Sequence, residues 1–142
     1  MRLTTAITLK LQTSISLDLE KPILSKVWSA SNGEENIWGF YLCGNEVMWG
    51  YYALFDRDTG EYSHGHTLFE RTSLHKCLQN VCTGEAQAGC AKSANGRASV
   101  KFWSDTRGGF FMRVYDSDGD SLSWNLEPLT HEELLRALQA LE

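Results

Sequence analysis

The chain has 142 residues, 42% of them hydrophobic and 22% charged, the ordinary balance of one soluble globular domain with a core of its own. No apolar run approaches the roughly 20 residues of a membrane span, and the first residues lack the order of a signal peptide, so a cytoplasmic protein without membrane contact is expected. A net charge of −5 argues against a protein that binds free nucleic acid through overall basicity.

Residues 7–19 alternate, with Ile7, Leu9, Leu11, Ile15, Leu17 and Leu19 on one side and polar residues between them. Period two predicts a half-buried strand, or two strands bent at Thr13-Ser14, ended by Pro22. Ile23 to Trp28 is short and apolar, and the loop SASNGEEN follows. Next comes WGFYLCGNEVMWGYY, residues 38–52. Gly44-Asn45 between two apolar runs predicts a two-residue hairpin turn, since both residues tolerate positive φ. That tip pairs Cys43 with Glu46, Phe40 with Trp49, Gly39 with Gly50 and Trp38 with Tyr51. One face then carries Trp38, Phe40, Leu42, Val47, Trp49 and Tyr51, an expected core slab. The other carries Ile37, Tyr41, Met48 and Tyr52 around two facing glycines. Paired glycines weaken a strand unless something needs the space. Either a helix packs over them, or Gly39, Tyr41, Met48, Gly50 and Tyr52 form a notch for a partner.

FDRDTGEYSHGH reads as a turn region leading to a strand at His66 to Glu70. TSLHKCLQNVCTG predicts a helix with the stripe Leu74, Cys77, Leu78, Val81 and Cys82, capped by Thr72 or Ser73 and ended by Gly84. The small, polar segment 83–97 reads as a loop. A meander follows: ASVKFWSD, the turn TRGG, FFMRVYD, a turn at Asp118-Gly119, and SLSWNLEPL. The last helix starts at His131, with Thr130 and Glu133 as a capping box and Leu134, Leu135, Leu138 and Leu141 as its buried side. The expected fold is α+β, an antiparallel β-sheet (hairpin plus meander) with two packed helices in one domain over residues 1–142. No repeat is visible beyond the Trp-Gly echo.

The motifs of chemistry are missing. Cys77 and Cys82 belong to an apolar helical stripe, Cys90 to a loop and Cys43 to a hairpin tip, so no zinc knuckle is expected, the one alternative being His64 and His66 joining Cys90. DSDGDSLSWNLE, residues 116–127, mimics a calcium loop, but its sixth position is Ser121 where glycine is needed. It reads as a solvated turn. Without a nucleophile motif, P-loop or metalloprotease helix, the chain is expected to be no enzyme and to need no cofactor or metal.

Charge is unevenly spread. Residues 1–71 carry −3, residues 72–113 carry +4, and residues 114–142 carry −6. The positive stretch contains Lys92, Arg97, Lys101, Arg107 and Arg113, the candidates for contact with RNA phosphates or with acids of a partner. The plain alternative is a solvated face. A basic stretch on an acidic body suits a subunit that touches phosphates only within a larger assembly.

EVMWG at 46–50, SLHKCLQ at 73–79 and VKFWSDTRGGFFMRVYD at 100–116 together resemble the small accessory subunit of CRISPR type III-D interference complexes. The matching positions are Val47, Trp49, Gly50, Leu74, Leu78, Trp103, Gly109, Phe111 and Arg113, within residues 38–118. The Gly/Ala-rich segment 83–97 departs from that pattern. The resemblance implies a non-catalytic subunit of an RNA-guided complex that binds and cleaves target RNA. Its partners would be other CRISPR effector subunits, and guide or target RNA. A second resemblance, of residues 26–52, is to the WGR domain, a nucleic-acid and interdomain binding module. The arginine that names that family is Tyr51 here. An acidic phage-type inhibitor is a third class.

Overall fold

Gly44 turns the first hairpin with a φ of +64°, and Asn45 stays at negative φ, so only the first of the two turn residues uses the left-handed region. The computed structural model describes residues 22–29, 31, 33–56, 58–124 and 128–142. The alternating segment 7–19 lies outside the described residues. Among the described residues, four strands come first: β1 (Leu24–Ser29), β2 (Glu35–Cys43), β3 (Glu46–Asp56) and β4 (Glu61–Glu70), followed by helix α1 (Arg71–Cys82). The same order then recurs as β5 (Ala88–Lys92), β6 (Ser99–Ser104), β7 (Phe110–Tyr115), β8 (Ser121–Trp124) and helix α2 (His131–Leu141). Each set of four strands is an antiparallel meander, ordered β1-β2-β3-β4 and β5-β6-β7-β8. The fold is α+β, as expected, but the strands form two sheets, and the architecture repeats where the sequence shows no repeat.

The hairpin register is the one the turn dictates, with Cys43 opposite Glu46, Phe40 opposite Trp49 and Gly39 opposite Gly50. Its inner face supplies Trp38, Phe40, Val47 and Trp49 to a core completed by Phe69, by the α1 stripe and by Val100, Phe102, Met112 and Val114 of the second sheet. From α2 come Leu134, Ala137, Leu138 and Leu141. Leu42 and Leu135 were expected inside and are 37% and 42% exposed. Leu42 lies beside the hairpin tip, opposite the fully buried Val47, and Ala137 takes the inward position on α2.

Two polar devices tie these elements together. Arg71, first residue of α1, donates from Nε to the Leu141 carbonyl at 2.9 Å. Its Nη2 donates to the carbonyls of Ala140 and Glu142, each at 3.0 Å. One guanidinium therefore satisfies carbonyls that the last turn of α2 leaves open, and its positive charge suits that helix end. The backbone N–H of Arg71 also donates to Asn45 O, at 3.1 Å. The expected side-chain cap by Thr72 or Ser73 is replaced: the N-cap is Glu70, with no capping bond from its side chain.

At the other helix the predicted capping box is present. Thr130 Oγ1 accepts from the Glu133 N–H, and Glu133 Oε1 accepts from the Thr130 N–H. The same Glu133 oxygen lies 3.0 Å from Lys26 Nζ on β1. Partial burial acts to raise the Glu133 carboxyl pKa, but the bonds from Lys26 and Thr130 and the Lys26 charge outweigh it and hold the pKa below the usual carboxylate range. A depressed folded-state pKa stabilises the fold above the unfolded-state value, and that contribution disappears as pH falls through the folded-state value. Glu133→Gln is therefore expected to lower the urea midpoint at neutral pH, with the gap to wild type closing in acid. Urea titrations across that range check it; a gap independent of pH would show that the charge contributes nothing.

Two segments expected as turn or loop are strands. β4 begins at Glu61, not His66, because its polar residues alternate on the face away from the core while pairing along β3. β5 lies inside the segment expected to be a loop. Its residues are small because the strand is pressed against α1: a Cβ at Gly89 would stand 3.0 Å from the Cys77 carbonyl oxygen.

Candidate nucleic-acid interface

Alternation along β6 and β7 places two chemistries on opposite faces of the second sheet. Val100, Phe102, Met112 and Val114 point inward and are fully buried. Lys101, Trp103, Phe111 and Arg113 point outward, half-buried. Register then joins them into two rungs, Lys101 opposite Arg113 and Trp103 opposite Phe111. The Trp103 and Phe111 rings stack with centroids 5.9 Å apart and planes inclined by 23°. Lys101 Nζ is 5.6 Å from the Trp103 centroid and Arg113 Cζ is 5.9 Å from it, both within cation–π reach. Trp103 is thus the hub of the face. On β5 it is paired with the small Ala88.

The remaining basic candidates border this cluster. Lys92, opposite Ser99, is exposed on the same face of β5. Arg97 is exposed in the turn joining β5 to β6, and Arg107 in the turn joining β6 to β7. The six residues of β6 separate those turns by ~17 Å, so the two arginines bracket the aromatic pair along the strand. Among the described residues, Asp105 and Asp116 accept backbone hydrogen bonds within their own turns. Asp105 Oδ1 accepts from the Arg107 N–H at 2.8 Å. Asp116 Oδ1 accepts from the N–H groups of Asp118 and Asp120, each at 2.9 Å. All five predicted basic residues therefore lie on one sheet face or on the turns that bound it.

Such a face offers nucleic acid two kinds of contact. Flat rings on neighbouring strands accept stacked bases, and the cations beside them take phosphates. Lys101 and Arg113 face each other across the strands, an arrangement of like charges that costs energy. The Trp103 ring offsets part of that cost. The stacking of Trp103 on Phe111 beside the cations was missed in the sequence, although a signal was there. Lys101 and Trp103 are two apart, as are Phe111 and Arg113, so each aromatic shares a face with a cation.

The paired glycines do not make an open notch. Gly39, Tyr41, Met48 and Gly50 are all buried, and Tyr52 is half-buried. At Gly39 the space is filled from within the sheet, since a Cβ there would lie 3.0 Å from the Tyr41 ring. An aromatic ring laid over a strand glycine keeps the pairing stable where the glycine contributes no side chain. Among the described residues, neither helix shares its core cluster with a residue of that face, and the glycine that a described helix does require is Gly89. Tyr52 instead joins a row of rings, stacked on Tyr62 at 5.3 Å, with Tyr62 stacked on His64 at 5.7 Å.

The cysteines are free, Cys77 and Cys82 buried and Cys90 exposed on β5. Burial, with the neighbouring Cys90 adding to it, pushes the Cys77 thiol up to about 12, far from a reactive or metal-binding thiolate. Asp116, Asp118 and Asp120 bring carboxylates within 4.8 Å of one another, and the backbone bonds to Asp116 account for their grouping as a turn. Among the described residues, no helix is long and apolar enough to cross a membrane.

No protein-family model and no curated protein matches this sequence. In three dimensions the chain is similar to a crystal structure of Trypanosoma brucei MRP1/MRP2, with a TM-score of 0.59 and 13% sequence identity over 99% of this chain and 91% of that one. At that identity the likeness is one of fold, and it spans nearly the full length of both chains.

Proposed function

We propose that this chain is a non-catalytic RNA-binding subunit of a ribonucleoprotein, holding a single strand across the outer face of the sheet β5–β8. One observation carries the reading: Lys101, Trp103, Phe111 and Arg113 share one face, with the two cations within 6 Å of the indole centroid. Stacking on π faces tolerates any base, so recognition by shape and charge rather than by sequence follows. The choice of RNA and the setting in a CRISPR type III-D effector rest on the motif resemblance. Of its matching positions, Trp103, Phe111 and Arg113 fall in this cluster, whereas Val47, Trp49, Leu74 and Leu78 are core and speak to folding. A net charge of −5 favours modest affinity for free RNA and tighter binding inside an assembly. Other effector subunits are its proposed partners, and the cytoplasm its proposed compartment.

Arg97 and Arg107 supply the test, since both are exposed and their reversal leaves the core intact. Arg97→Glu with Arg107→Glu is expected to keep the melting temperature and to weaken binding of oligo(U). Loss of two phosphate contacts should flatten the slope of log K against log salt by about 1.4, at roughly 0.7 per contact for single strands. Co-purification of the tagged chain from its own cells should bring down RNA and large partner proteins with wild type, and less RNA with the double variant. Equal slopes and equal RNA yields would reduce the stripe to plain surface.

A further inference from the structure

The rung Arg113–Lys101 continues on β5 to Cys90, and β5 is the edge of its sheet. Beyond that edge the strand faces α1 across a groove of about 330 Å³. Lys76 and Asn80 line it from the helix, and Cys90 and Lys92 from the strand. Lys76 and Lys92 are exposed and Asn80 is half-buried. No carboxylate is among the lining residues, and Ser73 of the lining donates its hydroxyl to Glu70. As an edge strand, β5 also turns alternate backbone N–H groups away from β6. Two ammonium groups, a carboxamide and outward-turned backbone N–H groups around a small concavity match a phosphate. Cys90 and Lys92 belong to both the groove and the sheet face, so the two surfaces are continuous.

We propose that a single strand bound on the sheet face crosses β5 at Cys90 and seats one backbone phosphate in this groove, between Lys76 and Lys92 with Asn80 donating. This rests on the reading of the sheet face as an RNA platform and gives that strand a direction of exit. The face alone accommodates a short oligomer; only a longer one reaches the groove.

Lys76→Gln isolates the groove, because Lys76 is on the helix and takes no part in the sheet-face cluster. Oligo(U) of about four and about twelve nucleotides, the span of single-strand site sizes, are titrated at several salt concentrations. The variant is expected to bind the short oligomer as wild type does. For the longer one it should lose about fivefold in affinity and flatten the salt slope by about 0.7, the share of one phosphate. Maleimide labelling of Cys90 should be slowed by the longer oligomer more than by the short one. If Lys76→Gln leaves both affinities and slopes unchanged while Trp103→Ala weakens both, the groove holds no phosphate and the platform stands. If it weakens both oligomers equally, Lys76 acts as distant charge and the groove assignment fails. Failure of the wild type to bind either oligomer would remove the platform and the groove together.

Discussion

Trp103→Ala is expected to lower the affinity for single-stranded RNA by about 5- to 150-fold, the range that corresponds to ~1–3 kcal/mol for one lost base stack. The loss should exceed that of either neighbouring cation, because the indole both stacks on Phe111 and anchors Lys101 and Arg113. Without the ring, those two charges keep their repulsion and lose the surface that oriented them. Trp103 is only half-buried, and its face is opposite the core, so the melting temperature should move little. Trp103→Phe should recover much of the binding, since a smaller ring still stacks. Fluorescence anisotropy with labelled oligo(U) and oligo(dT), beside a thermal melt, separates the outcomes. Unchanged affinity for Trp103→Ala would end the case for a stacking platform. A large loss of stability would show that the ring supports the fold instead.

At the centre of the hairpin, Trp49→Ala should unfold the protein or bring it close to unfolding. Trp49 has no exposed surface, and its ring stacks on Tyr51 at 5.0 Å. Truncating a buried tryptophan typically costs about 3–5 kcal/mol, against a total stability of roughly 5–15 kcal/mol for a domain. Trp49→Phe should be far milder. The Trp49 Nε1 is buried and makes no hydrogen bond, so phenylalanine gives up volume but no bond. Urea unfolding of both variants decides the matter. An alanine variant that melts with wild type would contradict the burial and turn Trp49 into a contact residue.

The two tryptophans show how far local pattern reaches. Trp49 could be assigned to the core because Gly44-Asn45 sets the register, and register sets which face each residue takes. The same short-range rules located the α1 stripe and the Thr130–Glu133 capping box. All of these involve residues a few positions apart, whose geometry the backbone periods dictate. Leu135 and β5 mark the boundary. Periodicity alone put Leu135 inside, but the neighbours of α2 bury Ala137 and leave Leu135 at the margin. The glycine and alanines of β5 carry no strand signal, since their smallness answers to the nearness of α1.

The hairpin register, the α1 stripe, the capping box and the basic character of residues 72–113 were therefore legible from the chain itself, whereas β5 and the first half of β4 were not. Tertiary structure alone divided the strands into two sheets and set Trp103 against Phe111. It also placed the Arg71 guanidinium on the end of α2, seventy residues away, and closed the groove between α1 and β5. The physical reason is range. A turn or a helical stripe is favoured by interactions within one or two turns of backbone, whereas which face meets which is decided by the burial of apolar surface from distant segments, a non-directional force that leaves no local period in the sequence.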